Sequence, residues 1–522
     1  MFSKGLHWLD WLVIVLYAVV LIGLGWWYSH KQKNTGDYFL GGGKMNPFFV
    51  GISLFVTLLS TVSYIAIPGE IIKHGPVVAC GVLAFPIAYF LVSYILIPIL
   101  MQQRVTSAYQ ILEFHLGKKI RLLGACWFIF MRLLWMTVLV FVAANAIVVI
   151  LGYGKEMVPF VIVITGLVSV IYTSLGGIKA VVVTDFIQFC ILISGSFLTI
   201  ILVSIHLDGI QWIPTTWSNH WDLQPLISIN PTVRATVIGA IMLDFFFIVC
   251  SSGSDQTQIQ RYMSMRDAIA AQRAFLIKCG AGVLTFLIIV MTGFAVMGFY
   301  NHNPESLPQG ESLRSFSDQL FPYFIANQLP IGLAGLVVSA LFAAAMSSLD
   351  SGVNSITAVV MTDFLDRYRT SHRSEREHKR TAMTLAFVIG IFIVLASSQM
   401  GNIQGNFKEL THKTVGLLVP GLFGIFFMAL FVRFATPFGV IIGSLYGVVG
   451  VFIIAYLDVL TGLPRVSYQL YMLFELMIQL TLACAFSLIP LKGKSRVVIT
   501  IWAFICILPL ISGLSFIIIG LS

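Results

Sequence analysis

The sequence predicts an all-α membrane protein of about 14 transmembrane helices. Three observations carry this: the composition, the recurrence of span-length apolar runs, and the distribution of basic residues. Hydrophobic residues make up 58% of the 522 positions and charged residues 10%, where a soluble protein carries about 25% charged residues. Apolar runs of about 20 residues recur along the chain, each long enough to cross a hydrocarbon layer roughly 30 Å thick. They span as helices because lipid offers backbone amides and carbonyls no partner. If the N-terminus faces outside, 21 of the 31 Lys and Arg residues fall in inside segments, eight in outside segments and two, Arg132 and Lys278, within spans. That bias sets the orientation and, with an even helix count, places both termini outside. The net charge of +9 follows from this topology and from contact with anionic lipid, and implies no nucleic-acid partner.

The runs lie near 10–29, 47–73, 78–102, 121–151, 157–174, 178–205, 233–256, 273–300, 331–365, 380–398, 413–434, 436–458, 468–489 and 497–520, and the stretch 413–458 admits another division. The first is span-length and lacks the basic start and small-residue exit of a cleavable signal. The second holds Thr57, Ser60, Thr61 and Ser63, then a break expected at Pro68 and Gly69. The fourth carries Arg132 in its depth, and the sixth carries Asp185 one to two turns in. The outside segment 206–232, with Trp212, Trp217 and Trp221, is expected to lie along the interface, its tryptophans at headgroup depth. The seventh run carries Asp244 and Asp255 around Ser251, Ser252, Gly253 and Ser254, where an unwound stretch is expected.

The ninth run poses the sharpest chemical question. Within ALFAAAMSSLDSGVNS (340–355), Ala344, Ser347, Asp350, Ser351 and Asn354 fall on one stripe of a helix turning about 100° per residue, with Ser348 and Gly352 on its edge. An aspartate at a helix centre in lipid costs about 2.5–3.5 kcal/mol on insertion scales and normally faces the bundle interior. Hydroxyls beside an acid offer hard oxygen ligands with one negative charge, suited to an alkali cation. Two broken, hydroxyl-rich helices, one in each half of the chain, mark a midplane site of a secondary transporter.

The remaining features are quieter. The seven cysteines (Cys80, Cys126, Cys190, Cys250, Cys279, Cys484, Cys506) show no CxxC spacing and are expected to be buried, inert thiols. The absence of an N-x-S/T sequon, Asn230 being followed by proline, favours a bacterial inner membrane. The charged run 366–380 reads as a solvated inside loop. No HExxH and no nucleophile–base pair argue for an enzyme. An ion channel would need a symmetric pore ring, and a transport-like sensor a signalling domain, which is not expected after residue 522.

The stretches DYFLGGGKMNPFFVGISLFVTLLS (37–60), GGIKAVVVTD (176–185), DQTQIQRYMSMRD (255–267) and GLAGLVVSALFAAAMSSLDSGVNS (332–355) together resemble the sodium:solute symporter family, from about residue 10 to at least 430. The resemblance implies a leucine-transporter-type core of two inverted five-helix repeats over 47–434, with a leading helix at 10–29 and peripheral helices at 436–520. It also implies Na⁺-coupled symport of a small organic solute, sugar-like or carboxylate-bearing, with Na⁺ as the coupling ion and no obligate protein partner. The main Na⁺ ligands it implies are the carbonyls of Val56, Leu59 and Ala344 and the hydroxyls of Ser347 and Ser348. Asp185, with Ser347 and Ser351, matches a second cation site. Asp350 departs from the hydroxyl of several members, and two acids in one cavity call for a second cation or a proton, which leaves proton coupling as the alternative.

The solute site departs further. Val82, Leu58, Asp255 and Thr257 replace the polar and aromatic groups of glucose-type members, and Trp135 aligns with the arginine that clasps a carboxylate in sialic-acid members. Arg132, one turn away, either grips an anionic solute or pairs with an acid such as Asp255. Ser60, Ser63 and Asp255 are candidate solute contacts by position.

Overall fold

The computed structural model describes residues 6–32, 34–59, 61–368, 374–400 and 417–490, and every regular element among them is helical. The chain begins with α1 (Trp8–Lys31), then α2 (Pro47–Val56) and α3 (Thr61–His74), followed by α4 (Pro76–Met101), α5 (Lys118–Leu151) and α6 (Val158–His206). After the non-helical segment 207–236 come α7 (Val237–Ser254), α8 (Gln256–Met263) and α9 (Ala268–His302), then α10 (Leu333–Val359) and α11 (Glu375–Ser398). The described chain closes with α12 (Val419–Phe431), α13 (Pro437–Ala455) and α14 (Tyr471–Ser487).

Among the described residues, ten helices are long and apolar enough to cross a membrane, or eleven if the bent pair Thr35–Gly43 and Pro47–Val56 counts as one. The expected fourteen is not reached, for identifiable reasons. The run 47–73 is cut into α2 and α3, neither of span length. The runs 157–174 and 178–205 form one element of 49 residues. At about 1.5 Å per residue it is long enough for two crossings. It is broken at Gly177, whose φ of 56° and ψ of −166° are open essentially to glycine alone, and a Cβ there would meet the Tyr38 carbonyl oxygen at 2.7 Å. Helix α12 has 13 residues, and the run 497–520, with Cys506, lies outside the described residues.

Both expected helix breaks occur, but not where the proline or the serines place them. Pro68 lies inside α3, and the interruption comes between Val56 and Thr61. There the Thr57 hydroxyl bonds back to the Ser53 carbonyl at 2.7 Å, offering the backbone a side-chain partner in place of helix propagation. The run Ser251–Ser254 is helical, with the Ser254 hydroxyl bonded to Cys250 O at 2.8 Å. The break falls one residue later at Asp255, whose extended backbone and carboxylate cap α8 through Thr257 N at 2.8 Å.

The segment 207–236 packs against the helices beside it. Trp212 and Trp221 are buried, packing on Gly298 and Phe294 of α9, so protein covers both rings. His220 Nε2 lies 2.9 Å from Ile72 O and His74 pairs with Asp222 at 2.7 Å, fixing the segment over the C-terminal end of α3. Of the six described cysteines, all free, Cys126 and Cys190 are exposed rather than buried, on outward faces of apolar helices.

Helix α10 lies at the centre. It packs on α1, α5, α6 and α11, and 24 of its 27 residues are buried, so its polar stripe faces protein and not lipid. Its start is anchored by the buried Asp10, whose Oδ1 accepts from Gly332 N and Gly335 N at 2.7 Å each. This carboxylate satisfies amides that a helix N-terminus leaves without partners.

Candidate functional site: a cation seat and a solute cavity at two helix breaks

The interruption after α2 leaves backbone carbonyls without helical partners, at the negative end of a short helix dipole. Helix α10 brings its serines to these carbonyls. Ser347 Oγ lies 3.3 Å from Val56 O and 3.3 Å from Ala344 O, and Ser348 Oγ lies 3.2 Å from Thr57 O. Leu59 stands buried in the same break, and Thr61 Oγ1 bonds Leu341 O at 3.1 Å, pinning the start of α3 to α10. Val56, Ala344 and Ser347, three of the ligands that the resemblance implies, thus lie side by side. What they form is a cluster of hard, neutral oxygens at one helix end, the donor type an alkali cation takes.

One turn along α10, a charged cluster stands beside this seat. Asp185 Oδ2 accepts from Ser53 Oγ at 2.5 Å and from Arg261 Nη2 at 3.2 Å. Arg261 also donates to Ser351 Oγ at 2.6 Å, Ser53 Oγ at 2.7 Å and Thr257 O at 2.9 Å. Asp350 faces away from this guanidinium toward α6, accepting from Tyr172 OH at 2.6 Å, with Ser351 Oγ 3.3 Å from its other oxygen. Among the described residues, Asp185 Oδ1 and Gln188 Oε1 are buried without hydrogen-bond partners. Sequence alone counts Arg261 as an inside-segment charge that sets orientation. It is instead fully buried, and it places a positive charge between Asp185 and Ser351.

A cavity of about 200 Å³ opens beside the break in α2–α3. Its wall includes Ser63, Arg132, Trp135 and Asp255, four of the five solute contacts expected from sequence. The fifth, Ser60, lies outside the described residues. Phe55, Phe85, Phe247 and Phe286 contribute aromatic faces to a wall that is otherwise mostly aliphatic. Arg132 Nη2 donates to Asp255 Oδ2 at 2.8 Å and to Thr257 Oγ1 at 2.6 Å, so of the two roles open to Arg132 the pairing with an acid is realised. Asp244 and Lys278 also line the cavity. Sequence reasoning gave Lys278 no role, although a lysine amid an apolar span is itself a functional signal.

With this geometry in view, the similarity to known proteins is decisive. The model of the sodium:solute symporter family matches residues 38–447. The chain belongs to that family. It is similar to the sodium/sialic acid symporter SiaT of Proteus mirabilis, 27% identical over 85% of this chain and 88% of that relative. It is also similar to the sodium/glucose cotransporter of Vibrio parahaemolyticus (25% identical, 91% and 90% covered) and to the human sodium-coupled monocarboxylate transporter 1 (25%, 84% and 72%). In fold it matches a solved Na⁺-coupled sialic acid symporter, with a TM-score of 0.77 at 24% identity, covering 92% of this chain and 98% of that one. As a member of the family this chain is an integral membrane, Na⁺-coupled solute symporter of the leucine-transporter-type fold and not an enzyme; Na⁺ is carried with the solute.

Proposed function

We propose that the chain moves Na⁺ and a small organic solute, sugar-like or carboxylate-bearing, across the membrane together by alternating access. The cation is held by the carbonyls of Val56, Leu59 and Ala344 and the hydroxyls of Ser347 and Ser348. The observation that carries this is the position of Ser347 Oγ, equidistant from the carbonyls of Val56 and Ala344 across two helices. In this arrangement the hydroxyl protons point at the carbonyls; a cation arriving among them turns the hydroxyls into donors of lone pairs and replaces each hydrogen bond with an ion contact. Binding thereby ties the broken α2–α3 to α10 and sets the wall of the cavity lined by Ser63, Arg132, Trp135 and Asp255.

We assign a second cation or proton to the cluster of Asp185, Asp350 and Ser351, where two buried carboxylates flank Ser351 and, among the described residues, the Arg261 guanidinium pairs with Asp185 alone. The transport core is assigned to 47–434, with 10–29 leading it and 436–520 at its periphery. With both termini outside, an inward-negative potential contributes about 2.3 kcal/mol per charge per 100 mV.

Uptake of labelled sugars, sialic acids and monocarboxylates into proteoliposomes, under a Na⁺ or a K⁺ gradient of equal ionic strength, tests this. The native chain is expected to accumulate at least one of these solutes with Na⁺ only, and the folded double variant Ser347→Ala/Ser348→Ala to accumulate none. Equal Na⁺-driven uptake by that variant would remove the cation assignment.

A further inference from the structure

The cavity contains a cationic side chain that, among the described residues, has no carboxylate in direct contact with it. Lys278, on α9, is buried and lines the cavity. Its Nζ donates to two neutral oxygens, Ser252 Oγ at 3.0 Å and Gln258 Oε1 at 2.9 Å, and sits 4.8 Å from the centre of the Phe275 ring. Among the described residues it forms no ion pair. An ammonium has three donors, so one remains for another acceptor. Four charged groups line this space: Arg132, Lys278, Asp244 and Asp255. They sum to zero, so the case rests on pairing and not on net charge. Asp255 is held by Arg132 at 2.8 Å, and drawing Arg132 away would strand a buried carboxylate without its counter-charge, a strongly unfavourable change. Lys278 can be approached by an anion with no such loss, because neither of its partners carries charge.

We propose that Lys278 is the anion anchor of the solute site, and that the solute is a carboxylate whose remaining body is apolar enough to lie against Phe55, Phe85, Trp135, Phe247 and Phe286. The proposal rests on the symport function given above and deepens it. The position of Lys278 also connects the solute to the ion. Its two acceptors stand on opposite sides of the Asp255 break, Ser252 on α7 and Gln258 on α8. Gln258 Nε2 in turn donates to Leu54 O at 3.2 Å, two residues before the Val56 carbonyl. A carboxylate that draws the ammonium toward the cavity therefore pulls on the helix end that seats the cation.

The test is thermal stability of the purified full chain in Na⁺ or K⁺ at constant ionic strength. The probes are propionate, phenylacetate, 3-phenylpropionate and N-acetylneuraminate, each beside its neutral amide, with glucose and galactose as uncharged controls. At least one carboxylate is expected to raise the unfolding temperature in Na⁺, its amide and the sugars having little effect. In Lys278→Met and Lys278→Gln the concentration needed for that rise is expected to increase at least ten-fold. Lys278→Arg, which keeps the charge, recovers part of it, and Na⁺ alone still stabilises all three variants. Stabilisation by no carboxylate of the set, by amide and acid alike, or undiminished in both uncharged variants overturns the anchor. Loss of the Na⁺ effect in the native chain would instead overturn the symport function on which it rests.

Discussion

Arg261 shows how a single residue reshapes a site that its neighbours announce. The stripe of Ala344, Ser347, Asp350, Ser351 and Asn354 is visible from helical periodicity, and the structure buries all five. Asp185 is visible as an acid in an apolar run. Arg261 is not, because nothing in QTQIQRYM reveals that all eight residues of α8 are buried; only the tertiary fold turns that helix inward. A buried guanidinium shared by Asp185, Ser351 and Ser53 makes the cluster interdependent. Arg261→Gln is expected to destabilise the protein by about 3–5 kcal/mol, since it leaves a buried carboxylate without its counter-charge. The double variant Arg261→Gln/Asp185→Asn should recover a substantial part of that loss. Chemical unfolding of the two single variants and the double variant, arranged as a cycle, gives the coupling. Strict additivity would mean that the pair is not a unit.

Among the elements, the breaks are the features most closely tied to function and the least precisely legible. Composition located both broken helices, because hydroxyl-rich stretches in an apolar helix are unusual. Their exact positions depend on which hydroxyl bonds which carbonyl: Thr57 with Ser53 in one helix, and the Asp255 carboxylate with Thr257 N in the other. That choice is made by side-chain geometry, which the string of residues does not encode. A second inter-element feature lies where the short helix Tyr109–Leu116, α5 and the residues that follow α10 are tied by ion pairs. Glu113 Oε2 accepts from Arg121 Nη1 at 2.6 Å and Arg367 Nη1 at 2.9 Å, and its Oε1 from Arg367 Nη2 at 2.8 Å. Arg121 Nε reaches Asp363 at 2.6 Å. The Arg367 guanidinium, together with Arg121, holds the Glu113 carboxyl down from 4.5 to about 2. A carboxyl whose pKa is lowered by folding contributes stability that is complete above its unfolded value and is lost as pH falls through its folded one. The thermal-stability gap between the native chain and Glu113→Gln should therefore be constant above about pH 5 and close between about pH 4.5 and 2. A gap unchanged over that range would show that the ion pairs add nothing beyond packing.

At the scale of the whole molecule, solvent, helical class and family are legible because each is written redundantly, in hundreds of apolar positions and in four separate motifs. The number of crossings is less so, since a count of apolar runs cannot show that 157–174 and 178–205 join at Gly177 or that the second run is cut in two. The solute cavity is least legible, because its wall is drawn from helices far apart in the chain, Phe55 and Lys278 among them. What unites these scales is the meeting of α10 with the broken α2–α3, where Ser347 and Ser348 face the carbonyls of Val56 and Thr57.

The most direct test is therefore the unfolding temperature of the purified protein as Na⁺ replaces K⁺ at fixed ionic strength, in the native chain and in Ser347→Ala/Ser348→Ala. A ligand of the native state stabilises by about 2.7 kcal/mol at a hundred times its Kd. A saturable, Na⁺-specific rise in the native chain that disappears in the double variant is the expected result. No difference between Na⁺ and K⁺, or an equal rise in both proteins, would contradict a sodium seat at this crossing.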